Sequence, residues 1–327
     1  MGGKGSRGAK VRAGIAWTTG ALLVMLASGE GWGRPAADTG VLLQILQSHP
    51  EWFEAVVENA DRHRLQILYT RIDRDPENRP RFRSSGFHLT DRYFYPASAI
   101  KLPAAILALE KLNDLGVPGV TRDTPLRIGV GAPGQTGVTV DPTRADGRPT
   151  IGHYVKKVFL VSDNDAYNRL YEFLGQREIN ERLWARGFSE ARVLRRLEGR
   201  LVPEQERETN PFVFFDGERV IHRQGTARNR SVWRVERPDT HQGLGYVQDG
   251  RVIPEPLDFR YSNYIPVESL QGILRLALFP ESAPEAQRFR LTDEDCRFLY
   301  RYMSMLPRES EDPSYPDRER YPDSYVK

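Results

Sequence analysis

The feature that most constrains the fold is a change of hydrophobic period at Ser98. Residues 64–73 and 81–96 alternate polar and apolar side chains, and a turn-rich stretch joins them. Such alternation is typical of half-buried strands. From Ser98 to Gly116 the apolar residues instead recur at helical spacing. The sequence therefore predicts two paired strands that lead into a helix, a mixed α/β (α+β) fold.

At the start of that helix, Ser98 and Lys101 are three residues apart. Helical residues at this spacing lie one above the other, so the hydroxyl and the ammonium face the same point. A serine hydroxyl needs a neighbouring base to become a nucleophile, and a lysine serves when burial lowers its pKa. The pair is the predicted nucleophile and base. A second Ser-x-x-Lys, 324–327, lies outside any predicted helix and receives no catalytic role.

A second motif, Ser162-Asp163-Asn164, falls at a break between two helical patterns. The first pattern begins after Thr150, a residue suited to capping a helix, and Gly175 ends the second. All three motif residue types also favour helix N-caps, so a purely structural interpretation is available. The capping and the catalytic interpretations are compatible.

The remaining patterns organise the rest of the chain. A helix interrupted near Pro50 precedes the strands, and residues 129–150 are predicted to form a loop. Asp-Gly pairs flanked by apolar runs predict hairpins at 216–217 and 249–250, which we assign to a two-hairpin insert, 212–256. Helices are expected within 266–278 and 292–306, and the last four residues resemble the start of a strand.

The N-terminus reads as a secretory signal, because four basic residues precede a short apolar run and small residues follow it. Removing the predicted signal, 1–29, takes four positive charges from the formal +3 and leaves −1. We expect a periplasmic or secreted protein with no membrane anchor after cleavage. The single cysteine, Cys296, excludes an intrachain disulfide and a lipoprotein cysteine at the cleavage site, and we expect it to be a buried helix residue.

Other chemistries find little support in the sequence. Gly129 to Thr136 mimics a phosphate-binding loop, but Gln135 stands where the lysine should be, and β-branched residues follow instead of a helix. The six histidines show no metal-binding spacing. We therefore expect no cofactor, no metal and no nucleic acid partner, and the oligomeric state stays open.

Together, "SAIKLP" and Ser-Asp-Asn resemble the penicillin-recognising serine hydrolases, namely the class A β-lactamases and the related cell-wall D,D-peptidases. The resemblance runs from about residue 40 to the C-terminus, apart from the insert. It implies an antiparallel sheet flanked by helices plus a helical domain. The corresponding boundaries are 30–105 for the first part of the sheet domain, 106–290 for the helical domain, and 291–327 for the last helix and tail.

The resemblance also implies roles for the motif residues. Ser98 would form an acyl-enzyme with Lys101 as its base, and Ser162 would relay a proton to the leaving nitrogen. Asn164 would bind the substrate amide and orient Lys101, while Asp163 would be structural. The implied substrate is a small-molecule β-lactam or a peptidoglycan-like peptide.

Arg196-Leu197-Glu198 resembles the family's loop that carries the deacylation base, which makes Glu198 the candidate for activating water. The family's β-lactamases place an asparagine four residues after this glutamate, but here the position is Val202. The alternative for Glu198 is a surface carboxylate paired with a neighbouring arginine.

The family's third motif, Lys-Thr-Gly, does not follow the last predicted helix. We therefore expect a truncated chain that lacks the closing strands, with one wall of the active-site cleft missing. The prediction is an exported serine hydrolase of the β-lactamase type. The alternatives are a D,D-peptidase or esterase using the same serine, and an inactive fragment or cell-wall-binding protein.

Overall fold

The structure, a computed structural model, describes Gly2 and residues 39–89, 92–198 and 201–325 of the 327-residue chain. Apart from Gly2, the predicted signal lies outside the described residues. All described helices and strands fall within the compact unit Arg34–Lys327. None of these helices is long and apolar enough to cross a membrane.

Ten α-helices lie in the described part of the chain. They are α1 (Thr39–Ser48), α2 (Pro50–Glu58), α3 (Ala60–His63), α4 (Lys101–Leu115), α5 (Ile151–Val161), α6 (Asn164–Leu174), α7 (Gln176–Trp184), α8 (Pro203–Glu206), α9 (Val267–Leu278) and α10 (Asp293–Ser304). Short 3₁₀ helices occur at Ala97–Ile100, Pro280–Ser282, Glu285–Gln287 and Pro307–Glu309.

The described strands form four small sheets, and every pairing is antiparallel. They are β1 (Ile67–Arg74), β2 (Pro80–Phe87), β3 (Leu126–Ile128), β4 (Phe212–Asp216), β5 (Arg219–Gln224), β6 (His241–Gln242), β7 (Tyr246–Gln248), β8 (Arg251–Ile253) and β9 (Leu257–Asp258). The sheets are β1-β2, β3-β4-β5, β6-β9 and β7-β8. The predicted mixed fold with antiparallel pairing is confirmed.

The N-terminal elements follow the predicted order, with one correction. The first helical pattern breaks at His49, and Leu42 and Leu46 of α1 pack against Phe87 of β2. The sequence predicted that the second strand would extend to residue 96, but β2 ends at Phe87. His88 adopts a left-handed conformation (φ 51°), which turns the chain away from the sheet.

Helix α4 is enclosed by other helices on almost every side. Ile106, Leu107 and Ala108 are consecutive, and each is 0% exposed. A helix that is apolar all round must be buried, and α4 packs against α5, α6, α7 and α9. It ends at Gly116 (φ 58°), as predicted. The helix that begins at Lys101 is therefore anchored in the protein core.

Helix α7 was not predicted from the sequence. Its nine residues, QREINERLW, are mostly polar, and Ile179 and Leu183 are its only buried aliphatic side chains. Gly175, with φ 83°, separates α7 from α6. Two apolar positions four residues apart are too weak a periodic signal to distinguish a short helix from a loop.

The two predicted hairpins are present, with different turns. The second hairpin places Asp249 (φ 48°) and Gly250 (φ 77°) in the loop between β7 and β8. Two left-handed residues are what a type I′ turn requires. In the first hairpin the loop is Gly217-Glu218, one residue later than predicted. Strand β4 of that hairpin also pairs with β3, so the hairpin belongs to a three-stranded sheet.

Helices α9 and α10 confirm the last two helix predictions. Cys296 lies in α10 as predicted, but it is half-buried and not buried. The residues after α10 return to α5, where Tyr315, Tyr321 and Tyr325 pack near Leu160. The strand expected at the end of the chain is wrong for Ser324 and Tyr325, because Ser324 lies in a turn. Residues 326–327 lie outside the described residues.

Candidate active site

The segment that carries Ser98 is a 3₁₀ turn that continues directly into α4. Just before the serine, Ala97 has a positive φ of 43°. Non-glycine residues in this region are uncommon, and such strained positions cluster at functional sites. Ser98 itself is half-buried. The backbone N–H groups at the start of a helix lack intrahelical acceptors, so this turn offers donors to a developing negative charge.

The structure brings Lys101 together with both predicted serines. The side chain is only 3% exposed. Its ammonium donates to Ser98 Oγ at 3.0 Å and to Ser162 Oγ at 2.9 Å. Two further acceptors share its three N–H groups, the Ser162 carbonyl at 2.6 Å and Asn164 Oδ1 at 2.5 Å. One nitrogen therefore contacts both hydroxyls and the amide of the two motifs.

Burial lowers the pKa of Lys101 to about 8, because desolvation penalises the charged form. The negative charges of Asp163 and Glu198 act in the opposite direction and raise it. With a pKa of about 8, roughly a tenth of Lys101 is neutral at pH 7, far more than for a lysine with the ordinary pKa. A neutral amine can accept a proton, which an ordinary surface lysine does far less often.

The turn between α5 and α6 presents Ser162 and Asn164 to Lys101. Ser162 ends α5 in a left-handed conformation (φ 54°), and Asp163 caps α6 by accepting the N–H of Ala166 at 2.8 Å. The predicted caps at Thr150 and at this motif are both confirmed. Capping fixes the backbone on each side of Ser162, so the orientation of its hydroxyl depends on local helix geometry.

Two contacts to this turn were not predicted. Lys157 of α5 lies 3.4 Å from Asp163 Oδ2 and 3.2 Å from Asp141 Oδ2. The hydroxyl of Tyr325 donates to the Val161 carbonyl at 2.9 Å. A lysine within an amphipathic helix gives no sequence signal for such a contact, and Tyr325 lies far from Val161 in the chain.

The loop that carries Glu198 is fastened by Arg196, which is 4% exposed. Its guanidinium donates to Glu172 Oε1 and Glu206 Oε2, both at 3.0 Å. Next to it, the Leu197 N–H donates to Asn168 Oδ1 at 2.8 Å. Glu198 is exposed and has a φ of 56°, and its negative charge raises the pKa of Lys101.

The far end of the same loop is also fixed. Asn210, fully buried, accepts the N–H of Gly131 and donates to Glu172 Oε2 at 3.1 Å. Gln135, which stands in the phosphate-loop mimic, instead donates to the Glu208 carbonyl. The glycine-rich loop thus packs against the Glu198 loop. Val202 is 52% exposed and has no polar group to hold a water molecule.

Within the described residues, no group of three or more His, Cys, Asp and Glu side chains is arranged to hold a metal ion.

Comparison with known proteins assigns the family. The model of the β-lactamase enzyme family matches residues 57–226, just over half of the chain, and this span contains Ser98, Lys101, Ser162, Asn164 and Glu198. It also includes the first hairpin. No curated protein matches the chain. The chain therefore belongs to the β-lactamase enzyme family, and it is a serine hydrolase of the β-lactamase type.

Proposed function

We propose that the protein is an exported enzyme that hydrolyses β-lactams through an acyl-enzyme at Ser98. The observation that carries the proposal is the position of the Lys101 ammonium, 3.0 Å from Ser98 Oγ and 2.9 Å from Ser162 Oγ. Export rests on the signal-like segment 1–29 alone. The mass of the mature protein, which shows whether this segment has been cleaved, tests it.

In the proposed acylation, neutral Lys101 takes the proton of Ser98 Oγ as that oxygen attacks the β-lactam carbonyl carbon. The N–H groups at the start of the helix stabilise the oxyanion that forms. The carbon–nitrogen bond then breaks, and the proton passes from Lys101 through Ser162 Oγ to the leaving nitrogen. The product is an ester of Ser98.

Asn164 has a binding role in this scheme. Its Oδ1 already accepts from Lys101, so its Nδ2 is available to the carbonyl of a substrate amide. Asp163 holds the turn through its cap, which agrees with a structural role. These roles use only side chains of this chain and require no cofactor.

A gel-based labelling experiment tests the proposal. We expect a fluorescent penicillin to label the wild-type protein covalently and Ser98→Ala to carry no label. Ser324→Ala, which removes the serine of the other Ser-x-x-Lys sequence, is the matched control and should label like wild type. Labelling that survives Ser98→Ala would refute the assignment of the nucleophile.

Hydrolysis of the ester is assigned to Glu198 acting on water. We predict that Glu198→Gln slows deacylation by a factor on the order of 10², so that the acyl-enzyme accumulates after a single burst of product. Release of a chromogenic cephalosporin product measures both phases. Glu204→Gln removes a nearby exposed carboxylate on α8 and should turn over normally. Unchanged steady hydrolysis in Glu198→Gln would exclude this role.

Val202 favours a second candidate function. Because an exposed valine stands where the family's β-lactamases use an asparagine to hold water, the wild-type acyl-enzyme is a candidate for slow deacylation. A D,D-peptidase behaves in this way with penicillins. A wild-type burst without turnover, together with release of D-alanine from a D-Ala-D-Ala peptide, would select the peptidase.

A further inference from the structure

A cavity of about 390 Å³ lies next to helices α5 and α6. The loop residues 137–143 form one wall, and α5 and the first turn of α6 form the other. Tyr154, Lys157 and Asp165 line it from the helices, and Asp141 lines it from the loop. The proposed reaction uses none of these side chains.

Negative charge dominates this cavity and its immediate surroundings. Lys157 is shared between Asp141 and Asp163, and Arg169 is shared between Asp165 and Glu172. The nearby His153 adds no positive charge at neutral pH, since burial lowers its pKa to about 4. The lining itself carries two carboxylates, Asp141 and Asp165, and one cation, Lys157, so the cavity favours a positively charged occupant.

Two polar groups at the cavity are available to a ligand. Tyr154 is 1% exposed, and its buried hydroxyl has no hydrogen-bond partner within the described residues. Buried hydroxyls are nearly always paired, so this one points to a missing partner. Asp165 lies at the mouth with its side chain 59% exposed, and its bond to Arg169 uses Oδ1. Within the described residues, no hydrogen bond to its Oδ2 accompanies this one.

The cavity shares a wall with the candidate active site. Asn164 and Asp165 are consecutive residues at the start of α6, so their Cα atoms are about 3.8 Å apart. Asn164 turns toward Lys101 at 2.5 Å, whereas Asp165 lines the cavity. A substituent next to a substrate amide bound by Asn164 would have to extend by one residue along α6 to meet Asp165.

We propose that this cavity is a specificity subsite for an ammonium group carried on the acyl side chain of the substrate, with Asp165 as the residue that selects it. The inference rests on the proposed function, because it takes Asn164 as the group that binds the substrate amide. An acyl chain with a primary amine fits the net charge, and an acyl chain with a carboxylate is disfavoured.

Two penicillins that differ by a single amino group test the subsite. Ampicillin carries an amine on the carbon next to its side-chain amide carbonyl, and benzylpenicillin does not. We expect the wild type to be acylated about fivefold faster by ampicillin at limiting concentration, the size of one partly exposed ion pair. In Asp165→Asn, which keeps the oxygen bonded to Arg169, the ratio of the ampicillin to the benzylpenicillin acylation rate should fall to about one.

The control variant is Asp146→Asn, which removes a carboxylate that is 46% exposed on the same loop and outside the cavity. It should keep the wild-type ratio. A ratio of one in the wild type, or an unchanged preference in Asp165→Asn, would overturn the proposal. Taking the ratio of two substrates on one variant cancels any general loss of folding or catalysis.

A binding measurement keeps the test independent of the reaction. We expect n-butylammonium to shift the backbone amide NMR resonances of residues 138–141, 143 and 165 in the full chain, and these shifts to be lost in Asp165→Asn. Neutral 1-butanol should leave these resonances in place. Absence of a butylammonium effect would contradict the subsite even if Ser98 is acylated. Conversely, a butylammonium effect in a protein that no penicillin labels would uphold the cavity and refute the proposed function.

Discussion

Replacing Lys101 with alanine should slow acylation of Ser98 by a factor on the order of 10² to 10⁴, the usual contribution of a positioned general base. The change removes the only group that contacts both Ser98 Oγ and Ser162 Oγ in the described residues. The second-order rate constant of labelling by a fluorescent penicillin measures this loss of acylation rate.

Ser162→Ala should slow acylation of Ser98 by a factor on the order of 10² or more, because the leaving nitrogen then loses its proton relay.

The pH dependence gives a sharper form of this prediction. Only the neutral amine accepts a proton, so acylation should rise with pH and level off above about 8, the pKa that burial gives to Lys101. Lys111→Met removes another largely buried lysine of α4, which bonds to Glu178 and not to Ser98, and should keep that profile. A Lys101→Ala variant that is acylated at the wild-type rate would exclude Lys101 as the base.

Replacing Arg196 with leucine should destabilise the protein by about 3–5 kcal/mol, the cost of breaking a buried ion pair by removing one partner. The side chains of Arg196, Glu172 and Glu206 are each no more than 4% exposed. Without the guanidinium, Glu206 Oε2 loses its hydrogen bond from Arg196 Nη1, and burial already raises the pKa of the Glu206 carboxyl. Thermal unfolding should show a melting temperature lower by roughly 6–10 °C.

The matched control is Arg177→Leu, which breaks an ion pair with Glu181 that is 69% exposed on the arginine side. Exposed pairs contribute about 0–1 kcal/mol, so the melting temperature should hardly change. Equal melting temperatures of the two variants would show that Arg196 does not stabilise the Glu198 loop. Arg196→Leu should also reduce deacylation, since the loop that carries Glu198 loses its anchor.

The parts of the fold and site that depend on local sequence were predictable. Ser98 and Lys101 meet because a helical start fixes residues three apart, and the caps at Thr150 and Asp163 follow from their residue types. The type I′ turn at Asp249-Gly250 is likewise determined by two adjacent residues. The convergence of Ser162 and Asn164 on Lys101 was expected from a family resemblance, and the contacts agree with that expectation.

The parts that depend on distant partners were not predictable. Arg196 was noted only for its position before Glu198, yet its partners Glu172 and Glu206 lie on other elements. The pairing of β3 with β4 joins residues more than eighty positions apart, and periodicity carries no information about such pairing. The cavity around Asp165 arises in the same way, from a loop that returns to two helices.

The most direct test of the account is peptide mapping of the protein after a short reaction with benzylpenicillin and an acid quench. We predict that mass spectrometry finds the penicilloyl adduct on the peptide that contains Ser98, with fragment ions that assign it to this residue, and that Lys101→Ala carries far less adduct at the same time point. An adduct on any other residue, or equal adduct on the Lys101→Ala protein, would contradict the central claim that Ser98 and Lys101 act together as nucleophile and base.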